Sequence, residues 1–389
     1  MPKIPTSTLI ALVFIFGLLT VPRALQRFRL PSQLTCFVFG VLLAVFGRSL
    51  VEERVVTTLS TFGIASLFLL AGLEVELYEL RKHRSRLTWN LVLRAVVLLG
   101  IAWLAMRYMG MTWQPAILLG LGVLTPSTGF ILDSLPTSGL NDEEQTEVAM
   151  DSIAGEIMAL LALVVVSQAG SAVSLAFSGA LLALLIALTP VLFLFLGKHV
   201  VPYAPGSEFS LLVMVGIICA VITQNIGVHY LIGAFVAGLV AGLLKKRMAN
   251  LASQENLLAV RLFASFFIPF YFFHEGLNVP AGALVARSLL YGVALSVVAI
   301  PLRVGKAWLQ ARFFSHRTAK GGLRVSIALI PTLIFTLVIA GMLHDQFHIA
   351  DELYGGLLVY AGITTLLPSL VLPALKAEGS AKTADEVGA

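Results

Sequence analysis

Apolar segments long enough to cross a bilayer follow one another through almost the whole chain, separated by short polar breaks. A spanning helix needs about 20 apolar residues, and on that measure about thirteen spans can be read. They fall near 6–23, 31–48, 55–77, 87–108, 113–135, 145–168, 173–197, 208–225, 229–245, 259–279, 283–313, 320–343 and 352–375. Of the 389 residues, 58% are hydrophobic and 12% charged, where an average soluble domain carries about 25% charge. The expectation is an all-α polytopic membrane protein. One transmembrane domain is expected over 1–375, followed at 376–389 by a short, small and polar tail, disordered and cytoplasmic.

The net charge of +5 does not mark a nucleic-acid partner, because the cations follow the spans. Arg23, Arg27 and Arg29 lie after the first span, and Arg81, Lys82, Arg84 and Arg86 after the third. Lys198 follows the seventh, Lys245, Lys246 and Arg247 the ninth, and Arg312, Arg317 and Lys320 the eleventh. Only scattered cations such as Arg48, Arg54 and Arg107 follow even-numbered spans. Basic loops gather on the cytoplasmic side, so the amino terminus is expected outside and the carboxyl terminus in the cytoplasm. One loop breaks the pattern: 137–147, on the cytoplasmic side, carries Asp142, Glu143, Glu144 and Glu147. The first apolar run has no small-residue cleavage site and its basic cluster lies behind it, so it is read as a span. Cys36 and Cys219 have no partner spacing, and neither a disulfide nor a metal site is expected.

Two features inside the spans point to chemistry. Residues 146–168, TEVAMDSIAGEIMALLALVVVSQ, hold Asp151 and Glu156 in an otherwise apolar stretch. An ionisable group near the bilayer centre costs about 2.5–3.5 kcal/mol on the lenient insertion scale, and the usual reason for one is an ion or proton path. The second feature is a pair of proline breaks, Thr125-Pro126-Ser127-Thr128 and Ile330-Pro331-Thr332. Proline removes a backbone donor and frees carbonyls that neighbours, ions or water must satisfy. The two broken spans have opposite topology, which is what an inverted repeat with two crossed discontinuous helices predicts.

Several segments carry a resemblance to a known family. Residues Arg29 to Gly40 (RLPSQLTCFVFG), Phe62 to Glu74 (FGIASLFLLAGLE) and Gly233 to Gly238 (GAFVAG) are similar, in order, to helices of the monovalent cation:proton antiporter-2 family, the Kef-type and bacterial sodium/proton antiporters. Ser127-Thr128 sits at that family's break, and Pro269 to Gly276 resembles a further segment. The resemblance implies a core bundle with the two broken helices, a dimerisation bundle, a homodimer in the bacterial inner membrane, and elevator-like exchange of sodium or potassium for protons. It implies no cofactor. The cytoplasmic nucleotide-binding regulatory domain of some members is not expected in this chain.

The departures bear on mechanism. Aligned through Ile153-Ala154-Gly155, Asp151 takes the first position of the family's acidic pair and Ser152 the second, where the essential carboxylate normally stands. Glu156 falls where the family is apolar. After the second break, Thr332-Leu333-Ile334 replaces a polar triplet. Ser152 and Glu156, four apart, share a helix face, and Asp151 lies about 140° around from Glu156. Asp151, Ser152 and Glu156 are therefore expected to replace the usual carboxylate pair, with Thr125, Ser127 and Thr128 adding the oxygens a hard cation prefers.

Arg303 and Lys306, on one face of the eleventh span, are the candidate counter-charges, Lys306 also being placed to snorkel to the headgroups. Asp133, Glu275 (next to His274), Pro331 and Thr332 are possible pathway residues. Arg94 is a candidate partner of Asp133 or Asp151, and Glu74 and Glu76 are read as structural partners of Arg81 and Lys82. A proton- or sodium-coupled organic solute carrier is the alternative on the same scaffold, and a non-transporting sensor or partner subunit is a third reading. No nucleophile–base or metal-ligand spacing points to an enzyme.

Overall fold

The computed structural model describes residues 6–46, 53–75, 82, 84–169, 172–204, 206–244, 253–314 and 319–387. Arg48, Glu76, Arg81, Lys245, Lys246, Arg247 and Arg317 lie outside the described residues. The helices run α1 (Thr6–Leu25), α2 (Ser32–Phe46), α3 (Glu53–Leu73), α4 (Arg84–Met109), α5 (Trp113–Leu124), α6 (Thr128–Ser134), α7 (Asp142–Gln168), α8 (Ala172–His199), α9 (Glu208–Asn225), α10 (Tyr230–Leu243), α11 (Gln254–Leu277), α12 (Ala286–Phe314), α13 (Ala319–Ala328), α14 (Leu333–Phe347) and α15 (Asp351–Val387). The described residues include no strand.

Nine helical segments among the described residues are long and apolar enough to cross a membrane, or ten spans if the bent pair α13–α14 counts as one. The expected thirteen is not reached on length and composition. Part of the difference is that α2 and α10, at 15 and 14 residues, are short. Ten residues of α10 are buried in protein, so its length is not set by the bilayer. At the other extreme α8 bares Val173, Phe177, Leu184, Leu188, Val191 and Phe195. Such a long apolar face suits contact with lipid. The backbone of α15 is helical through Val387, so no helix end marks the boundary expected at 375.

The chain divides into two compact units. The first comprises residues 1–27, 35–77 and 160–278. Its packing depends on glycines that let backbones touch. A Cβ on Gly72 of α3 would strike the Phe235 carbonyl of α10, and one on Gly238 of α10 would strike the Leu69 carbonyl of α3. Gly40 of α2 and Gly276 of α11 oppose each other in the same way, each against the other helix's backbone. Between membrane helices, close packing rather than water release supplies much of the attraction, which is why small residues line such contacts. Polar groups in this unit close in pairs. Arg261 Nη2 donates to Glu74 Oε1 (2.6 Å), so the partner of Glu74 seen here is on α11, a sequence-distant cation. Thr57 Oγ1 lies 3.2 Å from His274 Nε2, and His274 Nδ1 lies 3.9 Å from Glu275 Oε1. Cys36 and Cys219 are buried thiols.

The second unit comprises 28–34, 78–159 and 279–389. An apolar cluster of Ile131, Leu135, Leu140, Val148, Val325 and Ile330, among others, joins α6, the start of α7 and α13. The acidic segment that broke the charge pattern is the beginning of α7. Asn141 Oδ1 accepts the Glu144 N–H (2.8 Å) while Glu144 Oε2 accepts the Asn141 N–H (3.0 Å), a reciprocal capping box. Arg324 of α13 lies 3.5 Å from Glu144 Oε2 and donates to the Gly139 carbonyl. Glu144 thus answers to a helix end and to the half-buried Arg324.

Gly72→Val and Gly238→Val should each lower stability in detergent by about 1–3 kcal/mol through overpacking, whereas Gly100→Ala and Gly341→Ala, where an added Cβ meets nothing within 4 Å, should leave the melting temperature level or raised. Asn141→Ala should cost about 1 kcal/mol by removing the cap; tryptophan-fluorescence melting of the purified variants checks both.

Candidate functional site

The site in the second unit forms where two helices stop. α5 ends at Leu124 before Pro126, and α13 ends at Ala328 before Pro331; α13 and α14 meet at 43°. Each interruption strands backbone groups in a buried place, and unpaired groups there are costly. The two breaks satisfy one another. The Ser127 N–H donates to the Pro331 carbonyl (2.8 Å), and the Ile334 N–H donates to Ser127 Oγ (2.9 Å). Thr336 Oγ1 donates to the Gly122 carbonyl (2.7 Å). The Tyr360 hydroxyl, from α15, donates to the Val123 carbonyl (2.7 Å).

Arg303 of α12 completes the arrangement. Its Nη1 donates to the Ile330 carbonyl (2.6 Å) and to the Tyr360 hydroxyl (3.1 Å), and its Nη2 to the Leu329 carbonyl (2.8 Å). A helix C-terminus carries orphan carbonyls and about half a negative charge, and a guanidinium matches both. The hydrogen bonds of Arg303 therefore go to the end of α13, where the sequence reading had it facing a carboxylate.

Beside this junction lies a cavity of about 30 Å³, lined by Asn90, Arg94, Asp151, Arg303, Lys306 and Ser326, with apolar walls including Leu124 and Leu329. Asp151 is buried at 3% exposure. Lys306 turns inward, its Nζ donating to Asn90 Oδ1 (3.0 Å), so it does not reach for the headgroups. Of the two acids considered for Arg94, Asp151 shares its cavity, and Asp133 is exposed. The Arg94 guanidinium lies over Gly155 of α7, in the space a side chain there would fill.

The other expected residues divide. Glu156 is buried at 2% exposure but is not part of the cavity wall. Ser152 is fully buried and its Oγ donates to the Ala149 carbonyl (2.9 Å), leaving only lone pairs to offer. Thr128 Oγ1 is buried with no hydrogen-bond partner among the described residues. No donor reaches the Thr125 carbonyl among the described residues. Thr332 Oγ1 lies 3.0 Å from Thr364 Oγ1, and Pro331 offers its carbonyl to Ser127. Glu275 belongs to the first unit. Sequence reasoning missed Asn90 and Tyr360. Asn90 stands four before Arg94, a polar pair on one face of an apolar helix, and that spacing was the available signal.

The comparisons with known proteins agree with this architecture. The family model described as "Sodium/hydrogen exchanger, transmembrane" matches residues 10–377. A probable Na(+)/H(+) antiporter 3 of Methanocaldococcus jannaschii is 22% identical over 369 residues, 90% of this chain and 92% of that protein. The glutathione-regulated potassium-efflux system protein KefC of Shigella flexneri is 24% identical over 309 residues; the match takes in 76% of this chain and 48% of KefC, so this chain spans about half of that relative. Among solved structures, the sodium proton antiporter MjNhaP1 of Methanocaldococcus jannaschii at pH 8 superposes with a TM-score of 0.64 over 95% of this chain and 97% of its own, at 13% identity, a likeness of fold. This chain belongs to the transmembrane sodium/hydrogen exchanger family.

Proposed function

We propose that this chain is a secondary transporter exchanging a monovalent cation, sodium or potassium, for protons across the bacterial inner membrane. Family membership supports the reading. One observation carries it to particular atoms: Asp151, about a third of the way along a membrane-length helix, is buried in the wall of a water-sized cavity at the ends of two interrupted helices. A carboxylate in such a place is costly when bare, so a proton and a cation are alternative ways to neutralise it, which is the elementary step of exchange.

The oxygens assigned to cargo and proton are the carboxylates of Asp151 and Glu156, the hydroxyls of Ser152, Ser127 and Thr128, and the Thr125 carbonyl. A hard cation takes oxygen ligands, and neither the Thr128 hydroxyl nor the Thr125 carbonyl has a protein hydrogen-bond partner among the described residues. Arg303 and Lys306 act as fixed positive charges, and Asp133, Glu275, Pro331 and Thr332 belong to the entry and exit routes. An elevator-like movement of a core bundle, a homodimer, an outside amino terminus, and a 1–375 membrane domain followed by a cytoplasmic tail complete the proposal. Its support is the resemblance together with the placing of basic residues after odd-numbered spans.

Reconstitution into liposomes with a pH-sensitive dye tests the reading. Sodium or potassium added outside should drive proton movement, abolished in Asp151→Asn or Glu156→Gln and kept in Ser152→Asp. Silence toward sodium, potassium and lithium in a folded protein overturns it in favour of a solute carrier. Tyr360→Phe should reduce stability by about 1 kcal/mol, since it leaves the Val123 carbonyl without its donor, and thermal melting reads that loss.

A further inference from the structure

Charge in the cavity beside the broken helices does not balance. Three cationic side chains, Arg94, Arg303 and Lys306, line it with one carboxylate, Asp151. Arg303 is accounted for, because the carbonyl end of α13 receives its guanidinium. Asp151, a single negative charge, acts electrostatically on both Arg94 and Lys306. The hydrogen-bond acceptor of Lys306 among the described residues is neutral, Asn90 Oδ1. Arg94 is itself incompletely served: it is 5% exposed, and its Nε and Nη1 donate to no acceptor among the described residues. A buried guanidinium with unused donors carries a penalty that a partner removes.

We infer that this cavity binds a small monovalent anion, of halide or formate size, between Arg94 and Lys306. The volume fits the class. About 30 Å³ holds one or two water-sized particles, enough for a halide and too little for gluconate or an amino acid. The polar groups fit as well, since Arg94 brings unused N–H donors and Lys306 a compact ammonium with donors beyond the one given to Asn90. The backbone is shaped for the arginine: Gly155 leaves the space its guanidinium occupies. The anion is then a resident counter-charge, compensating the cationic walls while Asp151 changes partners. The inference goes beyond cation:proton exchange and does not depend on it.

Binding of radiolabelled chloride to the purified full-length protein in detergent tests it without any transport step. Saturable binding at one site per chain is expected, displaced by bromide and formate but not by gluconate. Arg94→Gln and Lys306→Gln should each weaken it about tenfold or more, the loss of one charge-assisted hydrogen bond. Gly155→Ala should weaken it too, by displacing the guanidinium without changing any charge. Melting temperature in sodium chloride against sodium gluconate, at equal sodium and ionic strength, gives a second readout on the wild-type protein, where chloride should raise it. Absence of saturable chloride binding by the wild-type protein overturns the inference, as does binding that survives both Arg94→Gln and Lys306→Gln. If Arg94→Gln does not fold, Lys306→Gln and Gly155→Ala decide. Loss of cation:proton exchange in liposomes leaves these results unaffected, so the two proposals fail separately.

Discussion

The guanidinium of Arg303 at the end of α13 is the contact on which the second unit depends. A helix that stops inside a membrane protein leaves carbonyls with no water to take them, and the bilayer offers nothing in exchange. Arg303 donates to two of those carbonyls, Leu329 and Ile330, and to the hydroxyl of Tyr360, which in turn donates to the Val123 carbonyl at the end of α5. One side chain and one phenol thereby tie together the last turns of two interrupted helices. Ser127 does the reciprocal work, giving its N–H to Pro331 and receiving the Ile334 N–H on its hydroxyl. With the backbone closed in this way, the Thr128 hydroxyl has no partner among the described residues, and such an oxygen beside a break is the kind of group a cation site can use.

The first unit answers the same lack of water with close packing. Gly72 and Gly238, and Gly40 with Gly276, bring helix backbones to distances that a methyl group forbids. These glycines fall inside the segments whose resemblance identified the family. The segments thus read as packing devices: their apolar residues fill the space and their glycines set how near the helices come. The oxygens proposed for cation and proton lie in the second unit, and of the proposed route residues Glu275 lies in one of these segments.

What the sequence made legible follows from this division. The helical class, the two breaks, and the acids at 151 and 156 could be read because proline and mid-span charge have local meanings. The glycine motifs could be matched, but their partners could not, since which backbones touch is decided between sequence-distant helices. The same holds for Arg303. Its depth in α12 marked it as paired, yet spacing gives no means of telling a carboxylate from a row of carbonyls. Lys306 reads from sequence as a counter-charge that could equally reach the headgroups; it meets Asn90, a residue whose significance appears only once α4 and α12 are together. The span count shows a further limit. Length against bilayer thickness works for α8, whose apolar face is bare, and fails for α10, whose length is set by the protein around it.

The acids of α7 illustrate how position separates structure from function on a single helix. Asp142, Glu143 and Glu144 lie in its first turn, where exposed N–H groups and the positive end of the helix dipole favour negative charge. Glu144 also closes the capping box and faces Arg324. These carboxylates are stabilised by the helix itself and belong there whatever the protein carries. Asp151 and Glu156 sit about two and about three turns further in, where the dipole gives no help and every N–H is already committed to the helix. Their charge has to be met by side chains, a proton or an ion. Evolution could remove such groups cheaply if nothing used them, since an apolar residue of similar size would pack as well. Their presence, in a helix whose structural acids are accounted for at its other end, is the physical argument behind the proposal that α7 handles charge in transit.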